Sequence, residues 1–219
     1  MALPNPDPSS SDIRREQSAN PASSRDRIRD AAKALFAERG YEGSSTSEIC
    51  RRAGTSESQL VKHFTNKQGV LEAIFQDGWE QLNLAVTLAI ERMPSATDKL
   101  GIIVDILVTF LQKDPDQRTV FLLEGRRKRG DGHLVVLVPA FLDFVRIVDR
   151  IIGQMSDRGE LAAGVHPEAM RSALMGALEG LLRDQMLART SRFPATYTEA
   201  DYRTIFATFL SAFAARPPP

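Results

Sequence analysis

Cysteine and tryptophan each occur once in 219 residues, and histidine and tyrosine three times each. A single cysteine excludes an intramolecular disulfide, so the fold must be held by its core alone. The three histidines, His63, His133 and His166, fall into no H-E-x-x-H or similar spacing, so neither a metal nor another cofactor is expected. The chain has no P-loop, no G-x-G-x-x-G and no G-x-S-x-G elbow, and with them go the usual phosphate cradle and nucleophile of an enzyme. No catalytic residues are assigned and no enzyme is expected. Long uncharged apolar runs are also missing: the richest stretch, after Leu134, is broken by Asp143 and Arg146, so no membrane span is expected. Residues 1–20 have neither a basic start with an apolar core nor a cleavage pattern, which makes the cytoplasm the expected compartment. Finally, there is no net charge, with 28 basic against 28 acidic residues. A nucleic-acid partner cannot be read from overall charge and would have to be read from local arrangement.

At 42% hydrophobic, the chain can build two modest cores or one large one. The most ordered signal is SSTSEICRRAGTSESQLVKHFTNKQGVL, from Ser44 to Leu71. Ser45 and Glu48 form a capping box that starts a helix near Thr46, and Gly54 can take the left-handed backbone that ends it. Ser56 and Gln59 repeat the pattern, opening a second helix in which Leu60 and Phe64 share one face. Glu57, Ser58, Gln59, Lys62 and His63 are left to the other faces, a polar surface suited to a groove. Asn66, or Thr65 with Gln68, can cap a further helix with Lys67 in its first turn, where the side chain and the free amides could meet a phosphate. Between Ser44 and Lys67 four basic residues, Arg51, Arg52, Lys62 and Lys67, face two acids, Glu48 and Glu57. Two short capped helices around one glycine make a helix-turn-helix.

Upstream, Ile28, Ala32, Leu35 and Phe36 recur with helical spacing after Ser23-Ser24 and stop at Gly40, completing a three-helix unit. With RDRIRDAAKALFAERGYEGSS, TSEICRRAGTSESQLVKHF and TNKQGVL in order, residues 25–71 resemble the DNA-binding domain of the tetracycline-repressor (TetR) family. The departures are Cys50 for a common alanine, Val61 for a common tyrosine that contacts phosphate, and Glu57-Ser58 for a frequent lysine-glycine. The resemblance implies that the helix from Ser56 to Phe64 enters the major groove of double-stranded DNA. Ser45, Thr46 and Lys67 would then hold the backbone, with His63 near a phosphate. Ser58, Gln59 and Lys62 would face base edges, and Ser56 and Glu57 are also counted among the DNA-binding residues.

Residues 1–22 are rich in Pro, Ser, Asn and Asp and are expected to be a flexible arm. Its basic pair, Arg14 and Arg15, either enters a minor groove or is solvated. Residues 23–70 form the expected DNA-binding domain, 71–216 a second helical domain, and 217–219 a proline tail. The second domain starts with an apolar stripe of Leu71, Ile74, Phe75, Trp79, Leu82 and Val86 on a long helix that ends before Pro94. Five more helices are expected near 98–113, 116–127, 134–155, 167–189 and 199–214, separated by Asp114-Pro115, Gly130-Asp131-Gly132, residues 159–164 and Phe193-Pro194. Residues 134–138 read locally as a strand, although a helix kinked or started at Pro139 suits the surroundings better.

HPEAMRSALMGALEGLL, from His166 to Leu182, also resembles the family, whose last two helices form a four-helix homodimer interface. Ala173, Leu174, Gly176, Ala177, Gly180 and Leu181 are the small and apolar residues that close packing needs; the plainer reading is that they face their own core. The family also implies an effector cavity. Trp79, Phe110, Phe121, Phe141, Phe144, Met175 and Met186 are candidates for its wall, against the reading of an ordinary filled core. Cys50 is a redox thiol or, more simply, a small core residue. Arg126 to Arg129 is a second nucleic-acid patch or, more simply, a solvated helix end.

The expectation is an all-α regulator, a homodimeric repressor released from a palindromic operator by a small-molecule effector. Its rival is a helical ligand-binding or enzymatic dimer that has lost its DNA contacts, a reading that Glu57 in the recognition helix keeps open.

Overall fold

The computed structural model describes residues 23–129, 133–134 and 137–215. The expected arm, the tail at 217–219 and the break at 130–132 lie outside them. Nine helices and one short hairpin make up the described residues. They are α1 Ser24–Arg39, α2 Thr46–Ala53, α3 Glu57–Phe64, α4 Lys67–Ile90, α5 Ala96–Lys113, α6 Pro115–Glu124, β1 Lys128–Arg129, β2 His133–Leu134, α7 Pro139–Asp157, α8 Pro167–Thr190 and α9 Glu199–Phe213.

The helix starts follow from local chemistry. Ser23, Ser45, Asn66, Ser95 and Asp114 each accept a hydrogen bond from an amide in the first turn of the helix that follows. Pro115, Pro139 and Pro167 open helices at a position where a missing N–H costs nothing. Helix α7 begins at Pro139 and not at Leu134, which lies in β2, paired antiparallel with β1. The basic run Arg126–Arg129 therefore lies beyond the end of α6 at Glu124 and enters the hairpin, so it does not cap a last helical turn.

One apolar core runs through the molecule. Ile28, Leu35, Phe36, Ile49, Leu60 and Phe64 fill the space between α1, α2 and α3. The buried stripe Val70, Leu71, Ile74, Phe75, Trp79, Leu82 and Val86 makes α4 the shared spine between this unit and the remaining helices. Cys50 is a core residue here; burial pushes its thiol up from the ordinary range, with the Glu57 charge adding to the effect.

Polar contacts fix the angle between the two parts. Asp77 on α4 accepts from Arg25 at 3.0 and 3.1 Å and from Arg29 at 3.0 Å, and Lys33 on α1 pairs with Asp114 at the start of α6. At the other end of α6, the Glu124 carboxylate is 2% exposed and accepts from the backbone N–H of Tyr41 at 3.1 Å. Helix α1 and the loop that follows it are thus held by α4 and by the two ends of α6.

Candidate nucleic-acid interface and effector cavity

The helix-turn-helix is built around two caps. Ser45 and Glu48 form the reciprocal box, the Ser45 N–H donating to Glu48 and the Glu48 N–H to Ser45 Oγ, and Gly54 closes α2 at φ 61°, ψ 45°. The second box, Ser56 with Gln59, is absent: Ser56 makes no side-chain cap, and its Oγ lies 2.8 Å from Ser58 Oγ. A neighbouring hydroxyl has taken the oxygen that the cap would use. Leu60 and Phe64 anchor α3 against the core, leaving Glu57, Ser58, Val61 and Lys62 exposed and Gln59 half-buried. Ser45 and Ser56 are exposed beside this face, and Thr46 is half-buried at the start of α2. Lys62 makes no ion pair among the described residues, whereas Arg39 and Arg52 are spent on Glu48 and Glu38.

Two expected phosphate contacts have internal partners. His63 Nε2 lies 2.8 Å from Ser24 Oγ, joining α3 to the start of α1. Lys67 Nζ donates to the carbonyls of Tyr41 and Ser44, each at 2.9 Å, and sits 4.1 Å from the Tyr41 ring centroid. The ammonium therefore clasps the α1–α2 loop onto α4 and keeps one N–H for another acceptor. Lys67→Ala leaves those carbonyls without their donor, and should lower stability by about 1–3 kcal/mol. Urea unfolding measures this; a midpoint within error of the wild type would remove the clasp.

The second feature lies among α4, α5, α6, α7 and α8, a cavity of about 390 Å³. Trp79, Phe110, Phe121, Phe141, Phe144 and Met175, all anticipated as wall residues, line it together. Met186 is not part of this wall. The aromatic rings are stacked: Phe121 lies 4.6 Å from Phe75 and 5.5 Å from Trp79, and Trp79 lies 5.0 Å from both Phe141 and Phe144. Trp79 Nε1 is buried without an acceptor. The lining contains two charged residues, Arg126 and Glu179, which are ion-paired with each other. Sequence reasoning missed both, along with Phe75 and the leucines of α4, α5 and α8, since nothing in the pattern separates a cavity leucine from a core leucine.

Helix α8 divides its residues between two sides. Met170, Leu174, Leu178 and Leu182 are buried in the chain's own core, so Leu174 belongs to that core and leaves the set of exposed interface candidates. Ala173 and Gly176 are exposed, Ala177, Gly180 and Leu181 are half-exposed, and no atom lies within 4 Å of a Cβ placed on Gly176 or Gly180. These residues leave room for close approach of another helix. No described helix is long and apolar enough to cross a membrane.

Comparison with known proteins agrees with this architecture. Residues 28–74 match the family model of bacterial regulatory proteins, tetR family. The fatty acid metabolism regulator protein of Bacillus subtilis is 25% identical over 152 residues, covering 69% of this chain and 78% of the relative. The solved fatty acid degradation regulator FadR of Bacillus halodurans superposes with a TM-score of 0.75 at 20% identity, over 88% of this chain and 96% of that one. The FadR of Bacillus subtilis solved with stearoyl-CoA gives 0.72 at 22% identity, over 84% and 95%. With the family's helix-turn-helix over residues 28–74 and the fold of these regulators through most of its length, the chain carries the DNA-binding domain of the tetR family of transcriptional regulators.

Proposed function

We propose that the protein is a cytoplasmic, non-enzymatic repressor that binds a palindromic operator as a homodimer and is released by an amphiphile with a long acyl chain. Residues 23–70 serve as the DNA-binding unit and residues 71–216 as the effector and dimerisation unit. Helix α3 enters the major groove with Ser58, Gln59 and Lys62 toward base edges. Ser45, Thr46 and the start of α4 lie along the phosphates, and the small face of α8 lies against the partner protomer.

The observation that carries the effector reading is the cavity itself. Its about 390 Å³ falls within the roughly 300–1,000 Å³ of small-molecule sites. Apart from one ion pair it offers a ligand apolar surface, and the similar proteins include fatty-acid regulators, one solved with stearoyl-CoA. An acyl chain suits the wall, and an anionic end suits Arg126, which can exchange Glu179 for it.

Three consecutive residues supply the coupling. Arg126 and Gly125 line the cavity, while Glu124 holds the Tyr41 N–H. A ligand that moves the end of α6 therefore pulls on the α1–α2 loop that Lys67 also holds. Half-sites about 34–36 Å apart demand a fixed spacing of the two recognition helices, so a small rotation ends simultaneous docking. A 100-fold loss of DNA affinity requires a coupling free energy of about 2.7 kcal/mol.

The test is fluorescence anisotropy on labelled duplex from upstream of the protein's own gene, titrated with palmitoyl-CoA and with free coenzyme A. Salt-sensitive, sequence-preferring binding that palmitoyl-CoA weakens and coenzyme A does not is the expected result. Trp79, the chain's only tryptophan, reports occupancy independently through its emission. Failure to prefer any DNA sequence favours the rival, a helical ligand-binding dimer without an operator.

A further inference from the structure

Val61 is the only exposed large hydrophobic residue in the helix-turn-helix, with 58% of its surface open to solvent. It lies on α3, whose inward side is fixed by Leu60 and Phe64. An isolated exposed valine carries little meaning on an arbitrary surface. Here its position on the recognition helix narrows what can cover it. Its companions on the open face are Glu57, Ser58 and Lys62, all polar or charged.

The edges of base pairs in a major groove present donors, acceptors and one apolar group, the C5-methyl of thymine. A β-branched side chain in a helix has essentially one χ1 rotamer, so the two Val61 methyls are held in place before DNA arrives and lose little entropy on contact. Ser58, one turn earlier on the same helix, has its hydroxyl joined to Ser56. Lys62 stands free of ion pairs among the described residues and can take an acceptor beside the methyl.

We infer that Val61 reads the 5-methyl of one thymine in each half-site, selecting thymine over cytosine there through an apolar contact. This inference rests on the proposed docking of α3 in the major groove.

The experiment begins with the full-length protein selecting a site from random-sequence duplex. Each thymine of one half-site is then replaced singly by deoxyuridine, which removes the methyl and nothing else. At one position binding should weaken roughly threefold to tenfold, the scale of one buried methyl group and its packing. Val61→Ala should weaken binding to the thymine site by a similar factor and bind the deoxyuridine site no worse than the wild type does, so the two losses do not multiply. Alanine is compatible with the helix, and a circular dichroism melt matching the wild type confirms that the variant folds. Equal affinity for every deoxyuridine site, or losses that multiply in full, overturns the assignment to Val61. A protein that selects no site overturns the docking and, with it, this inference; in that case the wild type fails before any methyl is removed.

Discussion

Gly78→Leu should lower the melting temperature by roughly 6–12 °C, the shift that about 3 kcal/mol produces in a chain of this size. A Cβ at Gly78 would stand 2.8 Å from Gln117 Nε2 and 2.8 Å from Phe121 Cζ, both on α6. Neither atom can move aside cheaply. The Gln117 side chain is buried and donates to the Ile74 carbonyl at 3.3 Å, and Phe121 is stacked between Phe75 and Trp79. Leucine adds three further carbons, which must drive α6 from α4 or force a strained rotamer. Gly78→Ala is the milder probe, because about 1 kcal/mol of gained helix propensity offsets part of its clash. Since α6 carries Glu124 and one wall of the cavity, the leucine wedge should also weaken DNA binding with no effector present. Thermal melts followed by circular dichroism, with anisotropy on a bound duplex, give both quantities. A melting temperature within 2 °C of the wild type would mean that this contact yields freely, and the proposed coupling through α6 would lose its rigid element.

Much of the molecule was legible because its helix ends are coded locally. The Ser45 and Glu48 box, the left-handed Gly54, the Asn66 cap and the prolines at 115, 139 and 167 each depend on residues within four positions. What the sequence did not reveal is set by a distant or competing partner. Ser56 shows the same spacing as Ser45, yet Ser58 engages its hydroxyl. His63 and Lys67 look free for phosphate in the sequence, but their partners, Ser24, Tyr41 and Ser44, lie 39, 26 and 23 residues away in the chain. The cavity was half legible for a related reason. Aromatic residues stand out in composition, so six of its wall residues could be named, whereas Arg126 and Glu179 are separated by 53 positions and meet only in the fold. On α8 a one-residue difference separates buried Leu174 from exposed Ala173, and periodicity does not fix that phase without knowing where the core lies.

Asp77→Asn should cost about 2–3 kcal/mol at neutral pH, and the deficit should shrink in acid. The carboxylate is mostly buried, at 16% exposure, and joins α4 to two arginines of α1. Asparagine keeps the shape but offers one neutral oxygen to two guanidinium groups, leaving them partly buried without a counter-charge. Removing one partner of a fully buried pair costs about 3–5 kcal/mol. The partial exposure of Arg25 and Arg29 places the present case below that range. Burial alone would raise the Asp77 carboxyl, but hydrogen bonds from Arg25 and Arg29 outweigh it and hold the pKa below the ordinary 3.8. A carboxyl with a lower pKa folded than unfolded contributes its full stability above the unfolded value, and loses it as pH falls through the folded one. The gap between wild type and Asp77→Asn should therefore be constant from pH 7 to about pH 5 and narrow below about pH 4. Asp114, held low against burial by Lys33 and the Gln117 amide, titrates in both proteins and cancels in the difference. Urea unfolding at pH 7, 5 and 3.5 supplies the comparison. A gap that stays the same across this range would assign the loss to shape and not to charge, and the ionic brace between α1 and α4 would no longer explain how the DNA-binding helices keep their angle to the rest of the chain.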